Sequence, residues 1–185
     1  MNIGTLAVGL YVVWLLSELV ILRRARDRSG ADIDDRSLAL LASSNFLAAA
    51  LSVILYFLGI GAASFGLPIQ ALGIALMLCG FTLRWAGMWT LRRFFSANVA
   101  VQDDHQLIIE GPYKLVRHPG YFGGWLAFVG FGLALSNGVA LFILVILTVP
   151  AFLYRIRVEE KALRGAFVNY ADYASRVKKF IPYIW

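Results

Sequence analysis

Five apolar runs dominate this chain and leave few folds open to it. Residues 3–22 are interrupted by one ionisable side chain, Glu18; residues 67–91 contain only Arg84; residues 38–60, 119–135 and 138–154 contain none. A helix needs about 20 predominantly apolar residues to cross a ~30 Å hydrocarbon core, with roughly 17 as the lower limit. The last two runs sit at that short edge, suited to little tilt or to a thin bilayer. Ser136-Asn137-Gly138 between them is a turn signal that forces an antiparallel helical hairpin. A soluble domain is about 45–50% apolar and about 25% charged, whereas this 185-residue chain is 60% hydrophobic and 15% charged. That balance excludes disorder and argues against a soluble enzyme. The predicted fold is an all-α polytopic membrane protein with five transmembrane helices and a helical C-terminal tail. It reads as one membrane-embedded domain, with no internal repeat or low-complexity linker.

Charge placement predicts an orientation. Segments 1–2, 61–66 and 136–137 hold no Lys or Arg, whereas 23–37, 92–118 and 155–185 hold every one except Arg84. By the positive-inside rule the N-terminus faces out and the C-terminal tail faces the cytoplasm, which requires an odd number of spans. The first run lacks a basic start and a small-residue cleavage site, and its basic cluster (Arg23, Arg24, Arg26, Arg28) follows it. It therefore reads as a retained anchor rather than a signal peptide. The net charge of +6 is then a signal of topology and anionic lipid. Nucleic acid is not an expected partner, because the basic residues hug the membrane ends. Cys79, the single cysteine, cannot form an internal disulfide, and no Cys/His spacing suggests a metal site. The mixed-sign loop 23–37 reads as a solvated connection in which Asp34 or Asp35 caps the second helix.

Reactive side chains concentrate in 92–118 and 155–185, so the catalytic part is expected within residues 92–185, at the cytoplasmic ends of the spans. P-loop, G-x-S-x-G and H-E-x-x-H signatures are missing. Gly111-Pro112 enforces a turn, and Pro119 suits the first turn of a helix, where its missing N–H has no intrahelical role. His118 is thereby placed at the mouth of the fourth span, beside free N–H groups that attract electron-rich ligands. Tyr113 and Tyr121 add flat surfaces for an aromatic base. The bland counterpart is an interfacial belt of Tyr, Arg and His at a membrane boundary. At the end of the fifth span, Arg155 and Glu159 are four apart and share a helical face. An acid beside an apolar boundary is costly unless it is paired or meets a cationic ligand; the alternative is an ordinary surface ion pair. Pro150 removes one backbone bond from that span and is placed to bend it. Glu18 and Arg84 read as a mutual interhelical pair or snorkelling charges, ahead of a substrate or proton path. Gly120 and Gly124 form a small-x-x-x-small pair for close helix packing. Trp14, Phe46, Tyr56, Trp125 and Phe128 face lipid or fill the core.

Residues 111–124 together with 155–173 resemble the isoprenylcysteine carboxyl methyltransferase family, part of a wider group of integral membrane methyltransferases that includes phospholipid N-methyltransferases. The R-H-P-x-Y-x-G pattern is met by Arg117, His118, Pro119, Tyr121 and Gly123. Upstream, H-x-L-[IV]-x-x-G-x-Y is met by His105, Leu107, Ile108, Gly111 and Tyr113. Downstream, E-E-x-x-L…Y-x-x-Y is met by Glu159, Glu160, Leu163, Tyr170 and Tyr173. The first three spans match only as generic hydrophobic helices. The resemblance implies an S-adenosylmethionine pocket at the membrane–cytoplasm boundary, with the C-terminal tail as its roof. His105, Gln106, Leu107, Ile108, Tyr113, His118, Pro119, Gly120 and Tyr121 would line its adenosine part, with Gln102 contributing. Glu159, with Glu160 beside it, would face the ammonium end, and Arg155 matches the arginine that holds the substrate carboxylate.

The implied activity is methyl-esterification of the carboxylate of a prenylcysteine-like or other lipidic substrate at the cytoplasmic membrane face, without a metal. Elementary chemistry agrees. A carboxylate is already ionised at neutral pH and needs no general base. The enzyme mainly aligns the reacting atoms and excludes water, and an arginine in an apolar setting holds a carboxylate bidentately. A greasy tail reaches that point from the bilayer through a gap between helices. The main alternative is a phospholipid N-methyltransferase, whose amine acceptor must lose a proton and calls for a carboxylate base. An NADPH-dependent lipid or sterol reductase calls for extra phosphate contacts that the chain lacks. A non-enzymatic scaffold leaves the His-Pro and Glu-Glu blocks without a purpose. The expected setting is a bacterial or archaeal cell membrane, or the endoplasmic reticulum of a eukaryote.

Overall fold

A computed structural model describes residues 2–26, 35–95 and 107–185. The apolar runs form helices, and among the described residues there is no strand. The helices are α1 (Ile3–Arg26), α2 (Asp35–Leu58), α3 (Gly66–Leu91), α4 (Pro119–Ala134), α5 (Gly138–Ala166) and α6 (Tyr170–Arg176), with short 3₁₀ turns at Arg92–Phe94 and Gly111–Lys114. Asp34, one of the two expected caps of α2, lies outside the described residues. Helices α1, α2, α3 and α5 are each long and apolar enough to cross a membrane. α4 has 16 residues, about 24 Å at 1.5 Å per residue, short of a ~30 Å core. Among the described residues four helices, rather than the five expected, meet the length requirement on their own. α5 runs 29 residues without a break, through Pro150 and well past the predicted end of the span. It therefore carries Arg155, Glu159 and Glu160 on the same rigid rod as the apolar segment.

Glycine spacing dictates how α3 meets α4. Gly73, Gly80 and Gly87 recur every seven residues on α3. A Cβ on Gly73 would stand 2.5 Å from the Ala134 nitrogen, and one on Gly80 2.5 Å from the Gly123 carbonyl oxygen. One on Gly87 would stand 3.2 Å from the Gly120 nitrogen. The two backbones touch along their length, the mode of association available where lipid removes the hydrophobic drive. The seam on α4 follows Gly120, Gly123, Ala127, Gly130 and Ala134, a three-four alternation that keeps one face toward a partner helix. Gly124 falls off that seam and faces the Phe152 ring of α5 at 3.4 Å. The expected Gly120/Gly124 pair is thus divided between two helices.

α1 lies across this pair, with Tyr11 stacked on Phe131 and Trp14 on Phe81, each at 4.9 Å between ring centroids. Trp14 and Phe128 fill the core, whereas Phe46 is largely exposed. α2 packs on α5, where Ser52 Oγ approaches the Ala140 carbonyl at 3.4 Å. The α4–α5 turn closes the hairpin expected there. Asn137 accepts from the Ala140 N–H at 2.9 Å and donates to the Ile60 carbonyl at 2.9 Å. Gly138 N–H donates to the Gly61 carbonyl at 3.0 Å, which knits the two turns of this end together. Asn137→Ala removes a helix cap and leaves buried groups without partners. We expect it to cost about 1–2 kcal/mol, read as a lower thermal midpoint in detergent with the helical signal retained below it.

Candidate active site

The polar end of the bundle is built from a turn, a helix start and the chain's last residues. Gly111 takes φ +55, a left-handed angle that glycine adopts without strain, and Pro112 follows it into the 3₁₀ turn. The chain then turns through Leu115 to His118, the residue before α4. The tail fastens this stretch: Arg117 N–H donates to the Lys178 carbonyl at 2.8 Å and His118 N–H to the Lys179 carbonyl at 3.2 Å. Tyr173 Oη donates to the Tyr113 carbonyl at 2.7 Å. Arg117 Nη1 reaches the Ala174 and Val177 carbonyls at 2.5 and 3.1 Å. Phe180 anchors the tail in a buried cluster with Phe122, Trp125 and Phe152.

Two adjacent carboxylates on α5 take different roles. Glu160 is surrounded by cations: Arg117 at 2.8 Å, His118 Nε2 at 3.4 Å, and Lys179 and Arg164 each at 3.7 Å. Its side chain is 6% exposed. Glu159 is held by Tyr121 Oη, by Arg155 Nε at 3.1 Å and by His118 Nδ1 at 3.6 Å, yet keeps 23% exposure. Glu159 is therefore the carboxylate available to a cationic ligand, while Glu160 is a structural hub. The His118 imidazole lies between the two. Burial lowers its pKa, but hydrogen bonds to Glu159 and Glu160 and their charges outweigh that, and the net shift is upward. Burial also raises the Tyr113 phenol, aided by the Glu159 charge, and pushes Tyr173 up to about 12. These phenols stay protonated and serve as donors, not bases.

A cavity of about 410 Å³ opens beside these groups, within the roughly 300–1,000 Å³ typical of small-molecule sites. Part of its lining is apolar, from Tyr11, Trp14, Leu15 and Leu19 of α1 and Leu38, Leu41, Ala42 and Phe46 of α2. Another part is polar and aromatic, with Tyr113, Arg117, His118, Tyr121, Glu159, Tyr170 and Tyr173. Of the residues expected to form the site, Leu107, Ile108, Tyr113, His118, Gly120, Tyr121 and Glu159 line the cavity together. Pro119, Arg155 and Glu160 stand behind the wall. Arg155 is 1% exposed, with Nη1 donating to Ser37 Oγ at 2.8 Å and Nε to Tyr121 Oη at 3.2 Å and to Glu159. Gln102, His105 and Gln106 lie outside the described residues. Residues 92–185 do not form the cavity alone, since α1, α2 and α3 supply much of its lining. Their contribution had no signal in the sequence beyond Glu18 and Arg84, because an apolar helix face toward a cavity reads like one toward lipid.

A model of the isoprenylcysteine carboxyl methyltransferase (ICMT) family matches residues 72–165, just over half of the chain. The chain belongs to that family. It is 29% identical over 119 residues to protein-S-isoprenylcysteine O-methyltransferase B of Arabidopsis thaliana, covering 63% of this chain and 60% of that protein. It is 36% identical over 116 residues to the protein-S-isoprenylcysteine O-methyltransferase of Saccharomyces cerevisiae, covering 61% of this chain and 48% of that one. The solved structure of a eukaryotic intramembrane Ras methyltransferase, ICMT, aligns with a TM-score of 0.63 at 26% identity, covering 75% of this chain and 52% of its own. This ICMT-family chain thus spans about half to three-fifths of the length of the relatives it matches. The matched stretch contains Arg84, the 111–124 block and the Arg155–Glu160 block, whereas α1, α2 and α6 lie outside it.

Proposed function

We propose that this chain is an S-adenosylmethionine-dependent carboxyl O-methyltransferase acting on a lipidic substrate, a prenylcysteine-like carboxylate first of all. The observation that carries the reading is one cavity whose lining is apolar where α1 and α2 supply it and polar around Glu159. S-adenosylmethionine, when bound, supplies an electrophilic methyl whose bond to sulfur breaks with both electrons going to sulfur, so an ionised acceptor needs no base. The residues present fit such a donor. Glu159 offers a partly exposed carboxylate to an ammonium group. Tyr113, His118, Tyr121 and Tyr173 offer flat walls to a purine, and Tyr170, whose buried hydroxyl has no hydrogen-bond partner among the described residues, lines the same space. Leu107, Ile108 and Gly120 complete that wall. His118 and Arg155 hold Glu159 in place.

The membrane placement we propose has five spans, with α4 crossing in contact with α3. The N-terminus lies outside, and the polar pole and tail lie at the cytoplasmic face. The apolar lining from α1 and α2 then lies on the bilayer side, from which the acceptor enters. Two measurements test the function. S-adenosylhomocysteine should raise the unfolding midpoint of purified protein in detergent, and NADPH should not. Labelled S-adenosylmethionine should pass its methyl to N-acetyl-S-farnesylcysteine or a long-chain fatty acid and not to phosphatidylethanolamine. Transfer to the amine alone, or a shift with NADPH alone, overturns the reading.

A further inference from the structure

One pair of charges in the cavity is not used by the scheme above. Arg84 of α3 and Glu18 of α1 both line it. Arg84 Nε lies 3.2 Å from both Glu18 oxygens and Nη2 lies 2.8 Å from Oε2, so one edge of the guanidinium is occupied. Nη1, on the other edge, makes no hydrogen bond among the described residues. It lies beside the start of α4, 3.4 Å from where a Cβ on Gly120 would stand. A glycine there leaves the guanidinium edge uncovered next to Tyr121, a residue of the polar wall. One turn from Glu18 on α1, the indole Nε1–H of Trp14 is buried and also has no hydrogen-bond partner among the described residues. Trp14 lines the same space. Two N–H donors thus lie within an apolar wall, one of them on a cation.

We infer that Arg84, oriented by Glu18, binds the acceptor's carboxylate, an inference that rests on the carboxyl-methylation reading above. A guanidinium presents two forked edges, each matched to a carboxylate. Glu18 takes the Nε–Nη2 edge, which fixes the plane of the group and offsets its charge in apolar surroundings. The Nη1–Nη2 edge remains for the acceptor, whose apolar chain lies along α1 and α2. Arg155 reaches an acceptor only by giving up a bond it already makes, whereas Arg84 gives up none. Arg84 makes no covalent bond; it sets which acceptors bind and where their oxygen sits.

A purely structural tie between α1 and α3 would also place these charges together, and the test separates the two. Replacing both members, E18L with R84M, removes the pair without leaving a lone buried charge. We expect this double variant to keep its unfolding midpoint and its S-adenosylhomocysteine affinity, while its KM for N-acetyl-S-farnesylcysteine rises about 30-fold, the size of a lost charge-assisted contact. In the wild type, that carboxylate should bind at least about tenfold more tightly than its neutral primary amide, and the double variant should lose this preference. R84K, which keeps the charge and loses the fork, should raise KM several-fold and serves if the double variant does not fold. An unchanged KM and an unchanged acid-over-amide preference in the variants overturn the role of Arg84 while leaving the function standing. A wild type that methylates no carboxylate at all overturns the function itself.

Discussion

Glu159→Ala is expected to lower the affinity for S-adenosylhomocysteine by about a hundredfold or more and to abolish methyl transfer. The magnitude follows from what the carboxylate does. It accepts hydrogen bonds from Tyr121 and Arg155 and faces the His118 ring at 3.6 Å. Truncating a buried, hydrogen-bonded charge costs about 2–5 kcal/mol, much of it from the partners left behind. Here those partners are Arg155, the His118 imidazole and the Tyr121 phenol. Without Glu159 they would face the ammonium of the ligand directly, so the loss falls on binding. Glu159→Gln keeps the shape and the acceptor atom, and should retain the fold while still losing most of the affinity. Titration calorimetry with S-adenosylhomocysteine reads the effect, and the unfolding midpoint without ligand shows that the fold has survived. Affinity within threefold of wild type for Glu159→Ala would remove this residue from the donor site. Glu160→Gln should behave differently. That side chain ties Lys179 of the tail to Arg117 and His118 at the α4 start, so its loss should lower stability first.

Gly80→Val is expected to give the largest loss of stability of any single change in the bundle, about 3 kcal/mol or more, with Gly80→Ala costing about 1–3 kcal/mol. A side chain at this position meets the Gly123 carbonyl and the Ala127 nitrogen, which are backbone and cannot swing aside. The helices must separate, and separation opens the neighbouring contacts at Gly73 and Gly87 together. Gly9 is the control. It lies within α1 with nothing within 4 Å of an added Cβ, so Gly9→Ala should be neutral or add up to about 1 kcal/mol through helix propensity alone. Reversible unfolding in mixed micelles distinguishes the two. Equal stabilities for Gly80→Val and Gly9→Ala would mean that α3 and α4 are not in backbone contact.

The helices and their order were legible in the sequence because a bilayer permits few ways to satisfy a backbone, and long apolar runs announce the commonest. The hairpin at Asn137 was legible because its turn residues act locally. The mutual pairing of Glu18 with Arg84 followed from the cost of an isolated charge among apolar residues. The Arg117–Gly123 and Glu159–Tyr173 blocks carried the family resemblance by residue type and spacing, and the structure gathers most of their polar members around one cavity.

Tertiary structure decided what local patterns cannot express. The glycine seam of α3 and α4 shares its composition with any flexible apolar helix, and only the facing backbone shows why Gly123 touches α3 while Gly124 touches α5. Glu159 and Glu160 are adjacent and chemically identical, yet one faces the cavity and the other gathers four cations, because a helix turns about 100° between neighbours. Arg155 and Arg84 were both visible as arginines near apolar runs. Packing against Ser37 buries the first behind the wall, and a glycine at position 120 leaves an edge of the second open to the cavity. Sequence determined that this chain lies in a membrane and which residue types it brings to one boundary. Which of those residues meet a ligand depended on contacts between helices distant along the chain, which no local pattern encodes.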